Sequence, residues 1–307
     1  MNLIYLGTPD FAVEPLKRIV EDGKHKVIAV VTNKDKPFGR KKILTAPPVK
    51  EYALSQNIPV YQYDKIRVEG VEDMKALNPD LMVTCAFGQI LSQEILDIPK
   101  KGVINIHASL LPKYRGASPI HYAILNGEKE TGITIMKTDI GIDTGDTLIQ
   151  EKIAINDGET CGELFDRLSI VGGALILEAL ELISENKAVF KPQDHKISTT
   201  TKIIKKEDAL IDWSASCFEV VNKIRAFNPA PIAYTTFNGE LFKIYKAKAV
   251  NSNGDLGQII KADKQLIVAC GQGAIELEIV QKAGGKAMLI DDFLRGNKLQ
   301  VGQYLGK

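Results

Sequence analysis

The chain has 307 residues, 45% of them hydrophobic and 25% charged, with 39 Lys and Arg against 38 Asp and Glu. That length can support more than one core, and the balanced charge excludes a protein whose bulk basicity recruits nucleic acid. Any basic signal must be local: from Lys205 onward 14 Lys and Arg stand against 11 Asp and Glu, only a mild excess. Cys85, Cys161, Cys217 and Cys270 are scattered, a spacing that fits a reducing compartment and argues against a zinc site or disulfide frame. No apolar run approaches bilayer-spanning length, and the first residues show no basic region or small-residue cleavage pattern. The expectation is a cytoplasmic protein without a membrane partner.

In chain order, Leu3 to Leu6, the turn Gly7-Thr8-Pro9-Asp10 and an apolar periodic stretch to Val20 predict strand, turn and helix, closed by Gly23. Lys26 to Val31 is a second strand, so the opening is a βαβ unit and implies a parallel sheet. Only Gly7 stands where a dinucleotide fingerprint needs three spaced glycines, which argues against nicotinamide or flavin; no phosphate-cradling loop pattern is present either. From Asn33 to Pro48 the chain predicts a long connection carrying Lys34, Lys36, Arg40, Lys41 and Lys42, with Pro37 and Gly39 as turn residues. Beyond it come a helix to Gln56, a short strand at Val60, a helix over 71–77, a strand over 81–86 and a helix over 92–98. Further strands are expected over 133–136 and 148–155, then a helix opened by the capping box Thr160-Cys161-Gly162-Glu163 and running to about residue 186.

Periodicity fades over residues 191–207, which read as a linker between a Rossmann-like part at 1–190 and a smaller part at 208–307. In the latter, Ser216 to Glu219 is a second capping box, and Asn238-Gly239 lies between two alternating runs as a tight hairpin turn. Short strands expected over 258–260, 266–269 and 275–280 complete the pattern of a small OB-like β-barrel, a common nucleic-acid or saccharide binder. The fold expectation is therefore α/β: an open, mostly parallel sheet followed by that barrel.

The stretch over 102–119, GVINIHASLLPKYRGASP, carries the chemistry. Asn105 and His107 interrupt an apolar strand two residues apart, which puts both side chains on one face at the strand's carboxyl end, where ligands of open α/β sheets bind. Taken alone, a core Asn and His bonded to nearby backbone is the plainer reading. The acidic loop 138–146, with Asp139, Asp143 and Asp146, lacks the ligand spacing of a calcium site. An imidazole, an orienting carboxylate and an amide that donates to an oxyanion are together the parts for acyl transfer without a covalent intermediate. No serine sits in a nucleophile elbow and Cys85 has no evident base.

Asn105-Ile106-His107-Ala108-Ser109-Leu110-Leu111-Pro112, the following Tyr114-Arg115-Gly116, and Thr134 through Asp143-Thr144-Gly145-Asp146 resemble the signature of the folate-dependent formyltransferases. Gly7-Thr8-Pro9-Asp10-Phe11, the basic loop, Ile211-Asp212-Trp213 and Arg225-Ala226-Phe227-Asn228-Pro229 extend the likeness along the chain, toward members that act on tRNA. The resemblance implies transfer of a formyl group from 10-formyltetrahydrofolate to methionine carried on initiator tRNA, directly and without a metal. Asn105 would polarise the formyl oxygen, His107 would move protons and Asp143 would orient His107. Ser109, Leu110, Leu111 and Pro112 would line the folate site, with Phe87, Gly88, Ile90 and Leu91 walling the pterin. Arg40, flanked by Lys36, Lys41 and Lys42, would contact the tRNA acceptor arm. A monomer is expected. The alternatives are an amino sugar nucleotide or glycinamide ribonucleotide as acceptor, or a catalytically inert RNA-binding protein.

Overall fold

The computed structural model describes residues 1–39 and 42–307, which divide into two compact units. The first comprises residues 1–116, 131–153 and 165–200; the second comprises 117–130, 154–164 and 201–307.

The first unit is built on a seven-stranded sheet. In spatial order its strands are Thr147–Ala154, Glu130–Lys137, Val103–His107, Leu81–Cys85, Asn2–Gly7, Lys26–Thr32 and Val60–Gln62. Strands from Val103–His107 to Val60–Gln62 pair in parallel, whereas Glu130–Lys137 runs antiparallel to Val103–His107, with Ile106 opposite Ile135. This is the expected mostly parallel α/β sheet. Its inner strands are apolar on both faces because helices cover both sides: Leu3, Ile4, Tyr5 and Leu6 are all at most 1% exposed. Ile4, Leu6, Val31, Met74, Met82 and Ile95 belong to one core cluster, worth about 1.5–3 kcal/mol for each fully buried large side chain.

Several local signals act as read. Gly23 takes a left-handed conformation and caps the helix Val13–Asp22. The Thr160 N–H donates to Glu163 Oε2 (2.8 Å) while the Glu163 N–H donates back to Thr160 Oγ1 (3.3 Å), closing the box that opens the helix Cys161–Ser184. The long connection after Asn33 holds more order than its composition implies. Lys36–Phe38 and Ile43–Thr45 pair as an antiparallel hairpin, with Lys36 opposite Thr45. Three-residue strands are too short to show an alternating pattern, which is why the hairpin was not anticipated.

In the second unit the strands Tyr234–Phe237, Glu240–Val250, Ala274–Lys282, Leu266–Ala269 and Ile259–Ala262 form an antiparallel half-barrel, with Met288–Leu289 paired to Ala274–Lys282. Bulges at 244–247 bend the longest pairing. Asn238 and Gly239, at φ 50° and 78°, make the predicted tight turn, and Phe237 faces Glu240 across it. Trp213, Phe242, Ile244, Leu266, Leu277 and Phe293 fill the core, and the Trp213 indole donates to Thr235 Oγ1 at 3.1 Å. The helices Pro119–Leu125 and Ile290–Gly296 were not anticipated.

Candidate active site

The strand Val103–His107 lies between Leu81–Cys85 and Glu130–Lys137, and from it Asn105 and His107 point to the same place. Asn105 Nδ2 lies 3.5 Å from Asp143 Oδ1, and His107 Nδ1 lies 3.5 Å from Asp143 Oδ2. The period-two argument is thus met in space: one carboxylate faces both side chains, 38 and 36 residues away in sequence. His107 is 6% exposed and the Asp143 side chain 18%.

Each member is oriented by a second group. Thr84 Oγ1 contacts Asn105 Oδ1 at 2.8 Å and Ile104 O at 3.2 Å; the hydroxyl donation occupies the amide oxygen and turns the NH2 toward Asp143. His107 Nε2 stands 2.9 Å from the carbonyl oxygen of Tyr114, an acceptor that requires a proton on Nε2 and leaves Nδ1 as the acceptor of the neutral ring. The Gly116 N–H donates to Asp143 Oδ2 at 2.7 Å. Tyr114 and Asp143 both hold left-handed backbones, at φ 61° and 52°, a conformation seen for few residues other than glycine.

The loop after His107 is tied down. Thr134 Oγ1 donates to Ser109 O (2.6 Å) and accepts from the Leu111 N–H (3.1 Å), while Gln150 Nε2 donates to Leu111 O (2.8 Å). Ser109 is fully buried and its hydroxyl donates to Lys113 O at 2.7 Å; Leu111 is 5% exposed, and Leu110 and Pro112 are half-buried. Across the strand pair, the loop 86–91 leaves the carboxyl end of Leu81–Cys85, the strand in register with Asn105 through Thr84. Phe87 and Leu91 pack into the core. Gly88 and Ile90 face outward, the latter 68% exposed.

Phe87 O accepts from Thr8 Oγ1 (3.2 Å) and Asn33 Nδ2 (3.1 Å), and Gln89 Nε2 donates to Asn33 Oδ1 at 2.8 Å. The same Asn33 leads into the basic hairpin, whose base is braced by Lys50 Nζ at 2.8 and 2.9 Å from the Asp35 carboxylate and by Gln62 Nε2, which donates to Asn33 O (2.7 Å) and Asp35 Oδ1 (3.0 Å). Hydrogen bonds from Lys50 and then Gln62 hold the Asp35 carboxyl below its usual range. Lys36 and Lys42 are exposed, and Lys34 pairs with Asp64 at 2.6 Å. Arg40 and Lys41 lie outside the described residues.

Thr84, Gln62, Gln89 and Gln193 escaped the sequence reading. Each is a single polar residue whose partner is remote in the chain, so no spacing pattern announces it. Cys85 is fully buried and burial pushes its thiol up to about 12, which removes it as a nucleophile. Among the described residues no group of three His, Cys, Asp or Glu is placed to hold a metal.

An amide, an imidazole and a carboxylate converging at one strand end of a parallel sheet can move a proton and stabilise an oxyanion, the chemistry that group transfer needs. Residues 1–180 match the family model described as formyl transferase, and residues 203–298 match the formyl transferase C-terminal domain. Methionyl-tRNA formyltransferase of Geobacter sulfurreducens is 44% identical over 100% of this chain and 97% of its own length; that of Bacillus subtilis is 45% identical over 99% and 98%. A solved N-formyltransferase from Helicobacter canadensis, in complex with folinic acid and dTDP-3-aminofucose, superposes with a TM-score of 0.70. At 24% identity, covering 91% of this chain and 98% of that one, it shows a shared fold alone. The chain belongs to the formyl transferase family, among the methionyl-tRNA formyltransferases.

Proposed function

We propose that this chain transfers the formyl group of 10-formyltetrahydrofolate to the α-amino group of methionine on initiator tRNA, and that Asn105, His107 and Asp143 carry the chemistry. The single observation behind the site assignment is the Asp143 carboxylate, 3.5 Å from both Asn105 Nδ2 and His107 Nδ1. At 3.5 Å both contacts are at the long end of hydrogen-bonding reach, so the carboxylate faces both groups and the contacts can tighten when substrate binds beside them. Asn105 Nδ2 donates to the oxygen as the amine attacks the formyl carbon and negative charge develops there. His107 Nδ1, the unprotonated nitrogen, takes the amine proton; Asp143 then faces an imidazolium and stabilises it. As the carbon–nitrogen bond to the folate breaks, the same proton returns to the leaving nitrogen.

The folate is assigned to the loops 109–112 and 87–91. The outward-facing Ile90 and, beside Asp143, the 74% exposed Ile142 are apolar surfaces suited to a planar bicyclic ring. Ser109, Leu110, Leu111 and Pro112 shape the pocket floor mainly through backbone, and Phe87 and Leu91 hold the wall from the core side. Lys36, Arg40, Lys41 and Lys42 are assigned to tRNA phosphates and the acceptor end. The proposed division is catalysis and folate binding over 1–190, a connection over 191–207 and tRNA binding over 208–307, in a cytoplasmic monomer.

The test supplies labelled formyl donor with charged initiator tRNA, charged elongator tRNA, glycinamide ribonucleotide and an amino sugar nucleotide in parallel. Label on a small acceptor and none on the initiator tRNA refutes the acceptor assignment. His107→Ala and Asp143→Ala are expected to lose at least about 10²-fold in kcat with folate affinity largely kept; retention of wild-type kcat by both refutes the site assignment.

A further inference from the structure

The polar run after residue 190 supplies a buried side chain to the site. Gln193 is 7% exposed, and its amide uses both donors and both lone pairs. Nε2 donates to the carbonyl oxygens of Asp143 (2.9 Å) and Gly145 (2.6 Å), and Oε1 accepts from Arg115 Nε (3.1 Å) and Nη2 (2.8 Å). Arg115 stands between Tyr114, whose carbonyl oxygen meets His107, and Gly116, whose N–H meets Asp143. One amide therefore joins the loop that orients His107 to the loop that carries Asp143.

We propose that Gln193 is a positioning residue that sets the distance and angle between His107 and Asp143. The inference rests on the catalytic reading of Asp143 given above. Asp143 holds a left-handed backbone, a conformation that persists in a residue other than glycine only when its surroundings over-determine it. The neighbouring Ile140 and Ile142 are 68% and 74% exposed and give the loop tip little packing support. Within the loop the Thr144 hydroxyl meets the Asp139 carboxylate at 2.7 Å, and from outside it Gln193 holds the carbonyl of Asp143 itself and the one two residues on. Only a neutral amide can fill this position: it donates twice to carbonyl oxygens, accepts from a guanidinium and adds no charge beside the reacting carboxylate. The strap that delivers Gln193 is itself fixed, since Thr199 O accepts from the Arg115 N–H (2.9 Å) and Thr199 Oγ1 from the Tyr114 N–H (2.8 Å).

Gln193→Glu separates the two halves of the clamp. The carboxylate still accepts from Arg115 but offers no N–H to Asp143 or Gly145, so the fold's buried Arg115 keeps a partner while the loop is released. Formyl transfer to charged initiator tRNA is measured across pH for wild type, Gln193→Glu, Gln193→Leu and Asp143→Asn, with folate affinity followed by fluorescence titration with 5-formyltetrahydrofolate. The expected result is a kcat at least about tenfold lower in Gln193→Glu, a displaced pH–kcat profile, and KM for tRNA and folate affinity within about threefold of wild type. Gln193→Glu with wild-type kcat and pH profile overturns the proposal, whether or not Gln193→Leu folds. Equal losses of kcat and folate affinity indicate general disruption of the unit and overturn it too. An active Asp143→Asn brings down the reading of Asp143 and the proposal with it; an inactive Asp143→Asn beside a normal Gln193→Glu brings down the clamp alone.

Discussion

Replacing Gly145 by alanine perturbs the site without touching any of the three side chains proposed to react. A Cβ at this position falls 1.9 Å from the backbone oxygen of Lys137 and 2.9 Å from its carbonyl carbon. Lys137 ends the strand Glu130–Lys137 and is held in the sheet opposite Ile104. The acidic loop must therefore shift by about 1.5 Å to restore an ordinary contact, and Asp143, two residues earlier, moves with it. A displacement of about 1 Å at a catalytic group costs roughly 10²-fold in rate. Single-turnover formyl transfer by Gly145→Ala at saturating folate and tRNA measures it directly, with circular dichroism to establish that the protein is folded. Gly296→Ala is the control, since a Cβ there meets nothing within 4 Å. A folded Gly145→Ala protein with kcat within about threefold of wild type refutes the reasoning.

Thr84→Val keeps the β-branched shape and removes the hydroxyl that occupies the Asn105 amide oxygen; it is expected to cost about 1 kcal/mol of stability and lower kcat about five- to tenfold, read by urea denaturation and steady-state kinetics. In the second unit, His121 packs half-buried with its ring 6.4 Å from that of Phe227, and burial holds its pKa below the ordinary 6.5 despite a hydrogen bond with the Ala230 backbone. The unfolded chain then binds this proton at higher pH than the native one, so the stability it confers is full above pH 6.5 and is lost as pH falls through the depressed native value. Thermal denaturation between pH 7.5 and 5 is expected to show a shallower decline for His121→Gln than for wild type. The flattening is partial because His25 is shifted the same way by burial.

What could be read from the chain were features whose cause is local. The capping box at Thr160, the Asn238-Gly239 turn and the strand Leu266–Ala269 follow from residues within a few positions of one another. Asn105 and His107 stood out because two polar residues broke an apolar strand at its own period. Asp143 drew notice through its acidic loop and the family signature, but its approach to His107 depends on an antiparallel strand turning the chain back along Val103–His107. Gln193 lay in a polar run that reads as connection, and its hydrogen bonds go to partners 78, 50 and 48 residues away. Thr84 lies in a uniformly buried strand, where nothing local marks its hydroxyl. The strands Lys36–Phe38 and Ile43–Thr45 are three residues each and show no alternation, and the helix Ile290–Gly296 is opened by Asp291-Asp292 with no side-chain cap to mark it.

The brace of Lys50, Asp35, Gln62 and Asn33 has a consequence for how this enzyme can change. The hairpin strands hang from a clamp that closes below Lys36, and the clamp shares Asn33 with the wall formed by Phe87 and Gln89. None of Lys36, Pro37 or Ile43 to Thr45 takes part in that clamp, so substitutions there leave the contacts of Asn33 with Phe87 and Gln89 in place. Changes at Asn33 or Gln62 reach both at once. The hairpin can therefore drift in sequence more readily than the four residues from which it hangs.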